Sequence, residues 1–269
     1  MLTKEFVADL FNKFLELKSQ SPEDYPDGVV YDVEIQKYID KNGNPYDEVT
    51  RLYRYLLKKR GFTGKPKILK TGEFKKLKIM DKQGENLVSS PSLYHGFNNI
   101  DYGYNFLKED NYHLCYARGS QIYGTFFTLD KNEAKTYTSK YSDENPNTLK
   151  RVLNVKLLSS KGVRLSEIRK NCSFRLLMDD FSEVEDETIR DGMRAFYGFL
   201  KDGELTKEKL EFREMVENSN AFMAAMLGFD YLIDDVTSGY LVNFNRGLLA
   251  VTMDELKKFG IESIEDLEK

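Results

Sequence analysis

Histidine and cysteine are scarce in this chain, two of each among 269 residues. Cys115 and Cys172 form no CxxC pair, which argues against a disulfide framework or a zinc site and suits a reducing cytosol. Long apolar runs are absent: no stretch approaches the roughly 20 residues of a membrane-spanning helix, so no membrane partner is expected. Met1–Gln20 scatters charges along its length and has no apolar core followed by a small-residue cleavage site. It does not read as a secretory leader, and the expected location is the cytoplasm. A charge excess is lacking as well. The 40 Lys and Arg against 44 Asp and Glu leave a net −4, which argues against a surface that coats nucleic acid in general. There is no internal repeat and no low-complexity stretch. The remainder, 41% hydrophobic and 31% charged, is the composition of a globular protein able to bury one large core or two smaller ones.

Apolar residues Phe6, Leu10, Phe11, Phe14, Leu15 and Leu17 fall mostly at helical spacing, so 4–19 reads as an amphipathic helix. Turn signals follow at Ser21–Gly28 and Asn42–Pro45. Asp47 then caps a helix with Val49, Leu52, Tyr53, Leu56 and Leu57 on one face, ended by Gly61. Residues 58–82 carry ten Lys and Arg against Glu73 and Asp81, read as a solvated face with a polyanion contact as the alternative. These features suggest a mostly helical N-terminal lobe over 1–84 and a mixed domain over 85–269. In the second part, strands are expected ending at Leu93–His95 and over Gly124–Leu129, Leu149–Leu158, Phe229–Ile233 and Tyr240–Phe244. Helices are expected over Ile100–Glu109, from Asp130 with Glu133 three residues on as in a capping box, and over Asn218–Leu227. Thr252 caps another, which stops at Gly260. Glu183–Leu200 and Thr206–Glu217 read as a helical insertion of about 183–217.

The residues suited to chemistry gather in Ser92–Tyr141. SLYHGFNN places His95 and Gly96 at a strand end, and YGTFFTLDKNEAKTY places a Gly-Thr-aromatic-aromatic strand before a capped helix. A glycine permits close backbone approach to a ligand, and an imidazole can pair with a sugar hydroxyl. Phe126 and Phe127 on the strand and Tyr137 two turns into the helix would suit a flat heteroaromatic ring, the bland alternative being that all three are core. His113 reads as a packed or surface residue. Nothing near Cys115 lowers its pKa for a nucleophilic role.

LYHG, then GTFF with Ala-x-x-Tyr behind it, then the late strand GYLVNF resemble the ADP-ribosyltransferase fold in its His-Tyr-Glu branch. The resemblance covers about Ser90–Thr252. YGTFFTLDKNEAKTYT with GYLVNFNRG is also similar to ADP-ribosyltransferase-like proteins carried by bacteriophages, which usually have Arg-Gly where this chain has His95-Gly96. The resemblance implies an α+β fold with a split β-sandwich core. It implies an enzyme that binds NAD, releases nicotinamide and transfers ADP-ribose to a macromolecule, a protein more than a nucleic acid, as a phage or bacterial effector or toxin. By carry-over, Tyr94, His95 and Gly96 would contact NAD: His95 would hold one of its two riboses and the Gly96 backbone the carboxamide. Phe126 and Tyr137, eleven residues apart as in the family, would sandwich the nicotinamide. Thr125, Phe127 and Thr128 would flank that pocket, and Arg118 would pair with the pyrophosphate.

The chain departs from the family at two places. Phe126 replaces a Tyr, losing its hydroxyl. Gly239 stands where a catalytic Glu opens the late strand, a residue that stabilises the oxocarbenium-like state as nicotinamide leaves. Asp234 and Asp235, on the turn before that strand, are the candidate replacements, with ordinary turn acids as the alternative. Arg246, within Asn245-Arg246-Gly247, is read as part of a structural turn more than as a phosphate contact. Two other functions compete: a module that binds NAD, ADP-ribose or a partner without chemistry, and a modifier of nucleic acids.

Overall fold

The structure, a computed structural model, describes residues 1–34, 36–40, 45–69, 78–80, 87–89, 92–97, 115–116, 123–140, 151–159, 161–172, 181–236, 241–263 and 265–267. The fold is α+β. In chain order it runs α1 (Lys4–Ser19), β1 (Val30–Asp32), β2 (Lys37–Ile39), α2 (Glu48–Lys59), β3 (Lys67–Leu69), β4 (Lys78–Met80), β5 (Leu87–Ser89), β6 (Ser92–Phe97), β7 (Cys115–Tyr116), β8 (Tyr123–Phe127), α3 (Lys131–Lys140), β9 (Arg151–Leu157), β10 (Gly162–Arg164), α4 (Leu165–Cys172), α5 (Glu187–Lys201), α6 (Lys207–Glu217), α7 (Asn220–Leu227), β11 (Tyr231–Ile233), β12 (Leu241–Asn243), β13 (Leu249–Thr252) and α8 (Met253–Lys257). No helix among the described residues is long and apolar enough to cross a membrane. The helix expected over Ile100–Glu109 lies outside the described residues.

Two compact units divide the chain. The first comprises Met1–Gly61, Tyr116–Tyr123 and Glu167–Phe229. Its helices begin where the sequence supplies an acceptor for the unpaired first-turn N–H groups. Thr3 accepts from Phe6, Asp47 from Thr50 and Asp186 from Ile189. The Asp186 cap is why α5 starts at Glu187 rather than at residue 183. Val7, Leu10, Phe14 and Leu17 of α1 form one buried stripe, and Ile189, Met193, Phe196 and Leu200 of α5 another. Phe11 and Phe14 meet Phe212 of α6 with ring centroids 5.5 and 5.6 Å apart. Helix α7, NAFMAAML, has no polar face beyond its first residue, and Ala221–Leu227 are all buried. Gly228, at φ 96°, closes it in the left-handed conformation that favours glycine. The β1–β2 hairpin, Val30↔Ile39 to Asp32↔Lys37, was not foreseen; its three-residue strands are too short to show a period.

The second unit comprises Phe62–Cys115, Gly124–Ser166 and Asp230–Lys269. Two sheets carry its architecture, one in the order β10-β11-β12-β8-β7 and the other β3-β13-β9-β6. Their apolar faces share a core of Leu93, Leu153, Val155 and Leu157 with Phe127, Tyr231, Ile233, Leu241, Leu249 and Val251. The alternation in β9 produces this directly: Leu153, Val155 and Leu157 are buried while Asn154 and Lys156 between them are half-buried. Strand β10 lies against β11 in parallel, Gly162↔Tyr231. There Gly162 is a packing requirement, since an added Cβ would stand 2.0 Å from the Tyr231 ring.

Candidate functional site

Strand β6 is a full member of the four-stranded sheet, paired with β9 from Ser92↔Lys156 to Phe97↔Arg151. Among the described residues, its other side meets the five-stranded sheet at one bridge, Tyr94↔Thr128. The Tyr94 N–H donates to the Thr128 carbonyl at 2.8 Å, and the Thr128 N–H to the Tyr94 carbonyl at 3.0 Å. Antiparallel pairing turns the peptide groups of alternate residues to the same side. Since Tyr94 faces β8, Gly96 faces β8 too, and a continued ladder would join Gly96 to Phe126. Among the described residues no β6–β8 ladder continues from the bridge. Instead the Phe126 carbonyl accepts from His95 Nδ1 at 2.6 Å. The strands part after one bridge, and the imidazole takes the place of the next rung.

This contact sets the tautomer of His95. A carbonyl oxygen can only accept, so Nδ1 carries the proton and Nε2 keeps its lone pair. Burial among protein atoms pushes the His95 pKa down to about 4, opposed by the Phe126 carbonyl and aided by the positive charge of Arg246. The ring is therefore neutral at pH 7, half-buried, and 5.6 Å from the Phe127 ring, centroid to centroid. Arg246 is only 3% exposed. Its Nε donates to the Thr125 hydroxyl at 3.2 Å and its Nη1 to the Gly64 carbonyl at 3.3 Å. The 3-10 turn Arg246–Leu248 holds it there, with the Gly247 N–H bonded to the Thr63 carbonyl. The turn reading of Arg246 thus gains an electrostatic side: a fixed cation felt by His95.

Helix α3 covers the other face of β6. Its Ala134 carbonyl lies 2.2 Å from where a Cβ on residue 96 would stand, and Thr138 Cγ2 lies 3.1 Å away. Gly96 lets the helix settle directly on the strand. Tyr137, half-buried, is three residues from Ala134 and so flanks that contact on the same helical face. The helix start is held through Thr128, whose hydroxyl accepts from the Asp130 N–H at 3.1 Å and donates to the Glu133 carboxylate. Thr125, Phe127 and Thr128 are buried. Phe126, on the opposite face of β8 from Phe127, is half-buried.

Tyr94, His95, Gly96, Thr125, Phe126, Phe127, Thr128 and Tyr137 thus gather on β6, β8 and the helix that follows β8. Asp234 and Asp235 do not join them. They follow β11, which β12 separates from β8, a distance of about 10 Å at ordinary strand spacing. Both Asp235 oxygens are taken by Ser166 at the start of α4, by its N–H at 2.9 Å and its hydroxyl at 2.5 Å. Asp234 is buried and accepts from the Val236 N–H at 3.3 Å. These are the contacts of a helix cap and a turn. Arg118, His113 and Gly239 lie outside the described residues.

The electrostatic link between Arg246 and His95 was not legible in the sequence, since residues 95 and 246 are joined only by the folding of two sheets. No family model, curated protein or solved structure matches this chain.

Proposed function

We propose that the chain is an NAD-dependent mono-ADP-ribosyltransferase, built on an ADP-ribosyltransferase-like split β-sandwich, that releases nicotinamide and transfers ADP-ribose to a macromolecular acceptor, as a phage or bacterial effector. One observation carries the reading. Among the described residues, two sheets meet through a single bridge, Tyr94↔Thr128, next to the histidine and glycine of the motif. The Gly96 peptide faces β8, so its N–H and C=O suit the two hydrogen bonds of a carboxamide. The neutral His95 offers Nε2 as an acceptor for a ribose hydroxyl. Tyr137 precedes Thr138, whose Cγ2 stands 3.1 Å from the Cβ position of residue 96, and its ring would stack on nicotinamide. The chain's own groups would orient NAD and exclude water around the anomeric carbon.

The test uses the full chain with NAD labelled on the adenine side and host lysate. Nicotinamide release with label on a macromolecule is the expected result, and protease or nuclease digestion then identifies the acceptor class. NAD binding with no release at high enzyme concentration sinks the transferase reading and leaves a second one, a module that binds NAD or ADP-ribose without chemistry. What favours the second is the occupation of both Asp235 oxygens by Ser166.

A further inference from the structure

The net charge of −4 is unevenly placed along the chain. Residues 21–48 hold eight Asp and Glu against Lys37 and Lys41, a net −6, so the other 241 residues sum to +2. Some of these acids serve the fold. Asp40 pairs with Arg54 at 2.7 Å, Asp47 caps α2, and Asp24 accepts from the Ser21 N–H at 2.8 Å. Glu23, Asp27 and Glu34 do not. They are exposed, and among the described residues their carboxylates make no hydrogen bond or ion pair.

The β1–β2 hairpin lies within this stretch, and one of its edges is open. On its outer side β2 meets Pro45 at the bridge Ile39↔Pro45. Strand β1 has no second neighbour among the described residues. A free strand edge offers its N–H and C=O groups to an extended segment. Val30, Tyr31 and Val33 along it are 57%, 51% and 76% exposed, three of the seven large apolar side chains exposed among the described residues. A single exposed apolar residue needs no explanation, but three within four positions form a patch.

Tyr31 and Tyr38 are directly opposite, so their rings share one face, 5.1 Å apart. Tyr38 meets Tyr25 at 5.2 Å, and Tyr25 meets Tyr46 at 5.0 Å. The row ends on Arg51, whose guanidinium carbon is 5.1 Å from the Tyr25 ring centroid and 4.9 Å from that of Tyr46. Arg51 is buried and donates to the Leu17 carbonyl at 3.2 Å. The buried end of the row thus already holds a cation against tyrosine faces. The other end, Tyr31, is open to solvent. Contact of Tyr25 with Tyr38 brings the 23–27 turn to this face, and Glu34 follows Val33, so the three unpaired carboxylates rim it.

We propose that the β1 edge docks a basic, extended segment of a partner protein. Lys or Arg side chains of that segment lie against Tyr31 and the carboxylates of Glu23, Asp27 and Glu34, and its apolar residues cover Val30 and Val33. Charge selects the occupant: the acidic stretch attracts a basic segment and repels the phosphates of a nucleic acid or an anionic membrane. The docking does not depend on the transferase reading, because it uses no residue of the second unit.

The experiment titrates the full chain into a fluorescent peptide of three Lys-Val-Lys-Thr repeats, and into the same peptide with Glu for Lys, and reads anisotropy. The basic peptide is expected to bind about tenfold or more tighter than the acidic one, with affinity falling about tenfold between about 50 and 300 mM salt. Tyr31→Ser/Val33→Ser should weaken binding about tenfold. Glu23→Gln/Asp27→Asn/Glu34→Gln should do the same and flatten the salt dependence. This rim triple carries the test even if the first variant fails to fold, since its side chains are exposed and unpaired. The control Glu183→Gln/Glu185→Gln/Glu204→Gln removes the same charge from exposed positions of the same unit and should stay within about threefold of wild type. A control triple as weak as the rim triple overturns the proposal, since net charge and not the hairpin would then do the binding. Equal affinity for the two peptides overturns it, as does no binding of the basic one at about 1 mM. So does an affinity within about threefold of wild type in both hairpin variants.

Discussion

Replacing Gly96 by Ala tests the packing of α3 on β6. A methyl carbon at residue 96 would stand 2.2 Å from the Ala134 carbonyl oxygen, where real Cβ atoms essentially never come under 3.0 Å. The two must separate by at least 0.8 Å, the difference of those distances. Neither partner is a flexible tip. Gly96 sits in a six-residue ladder with β9, and the Ala134 oxygen belongs to the backbone of a ten-residue helix. Forced overpacking costs about 1–3 kcal/mol, and backbone on both sides places this case at the upper end, near 3 kcal/mol. The assay is urea unfolding followed by hydrogen exchange at the β6 and β9 amides. With a slope of about 1–3 kcal/mol per molar urea, the midpoint for this unit should fall by roughly 1 M or more. Thr138 Cγ2, at 3.1 Å, is a side-chain contact that Thr138→Ser would remove. The double variant Gly96→Ala/Thr138→Ser should therefore recover no more than about 1 kcal/mol. An unchanged midpoint, or full rescue by Thr138→Ser, would refute the claim that helix backbone against strand backbone sets the identity of residue 96.

The His95 pKa of about 4 lies below the ordinary 6.5, so the unfolded chain takes up a proton that the folded chain refuses. Stability from this residue is complete above pH 6.5 and falls as the pH drops toward 4, by at most about 3 kcal/mol; comparing wild type with His95→Gln at pH 7 and 4.5 should show the variant losing less, and equal losses would exclude His95 as the source. The Tyr231 hydroxyl is buried with no hydrogen-bond partner among the described residues. Tyr231→Phe should thus be neutral or stabilising by about 1 kcal/mol in urea unfolding, whereas a satisfied hydroxyl would make it destabilising. Thr125→Val removes the acceptor of Arg246 Nε and should cost about 1–3 kcal/mol, read in the same way; no loss would mean that the guanidinium does not depend on this contact.

Strands and helices of the second unit were legible wherever a period or a cap was written into the chain. VLNVKLL alternates, and the structure buries its odd-numbered Leu and Val residues. Thr252 and Asp47 read as caps, and both accept the expected first-turn N–H. What escaped were elements with too few residues to show a period, such as β10, and the divided course of the first unit, which joins residues 1–61 to 167–229. Helices α1 and α5 look complete in isolation; that their aromatic residues interlock is a fact of tertiary packing. The aromatic and glycine residues singled out by spacing lie on β6, β8 and α3, whereas Asp234 and Asp235 follow β11. Asp234 and Asp235 are close in sequence to the late strand, yet β12 stands between them and β8. Sequence proximity to a strand end says nothing about which neighbour of that strand a side chain will face.

The motif glycine illustrates why a pattern and its function must be argued separately. Gly96 is explained by packing, because only a residue without Cβ admits the Ala134 carbonyl. That explanation by itself makes the match to a nicotinamide-binding glycine weaker, since a purely structural protein would need the same residue. The direction of the Gly96 peptide is a different matter. It follows from the Tyr94↔Thr128 bridge two residues earlier, and packing of α3 does not require it to face an opening. A continued ladder would have consumed its N–H and C=O, and it is His95, not Gly96, that meets the Phe126 carbonyl. The proposed binding of NAD therefore depends on His95, which meets the Phe126 carbonyl. If His95→Gln leaves NAD affinity intact while Gly96→Ala destroys only stability, the glycine belongs to the scaffold and the opening beside it is not a nicotinamide site.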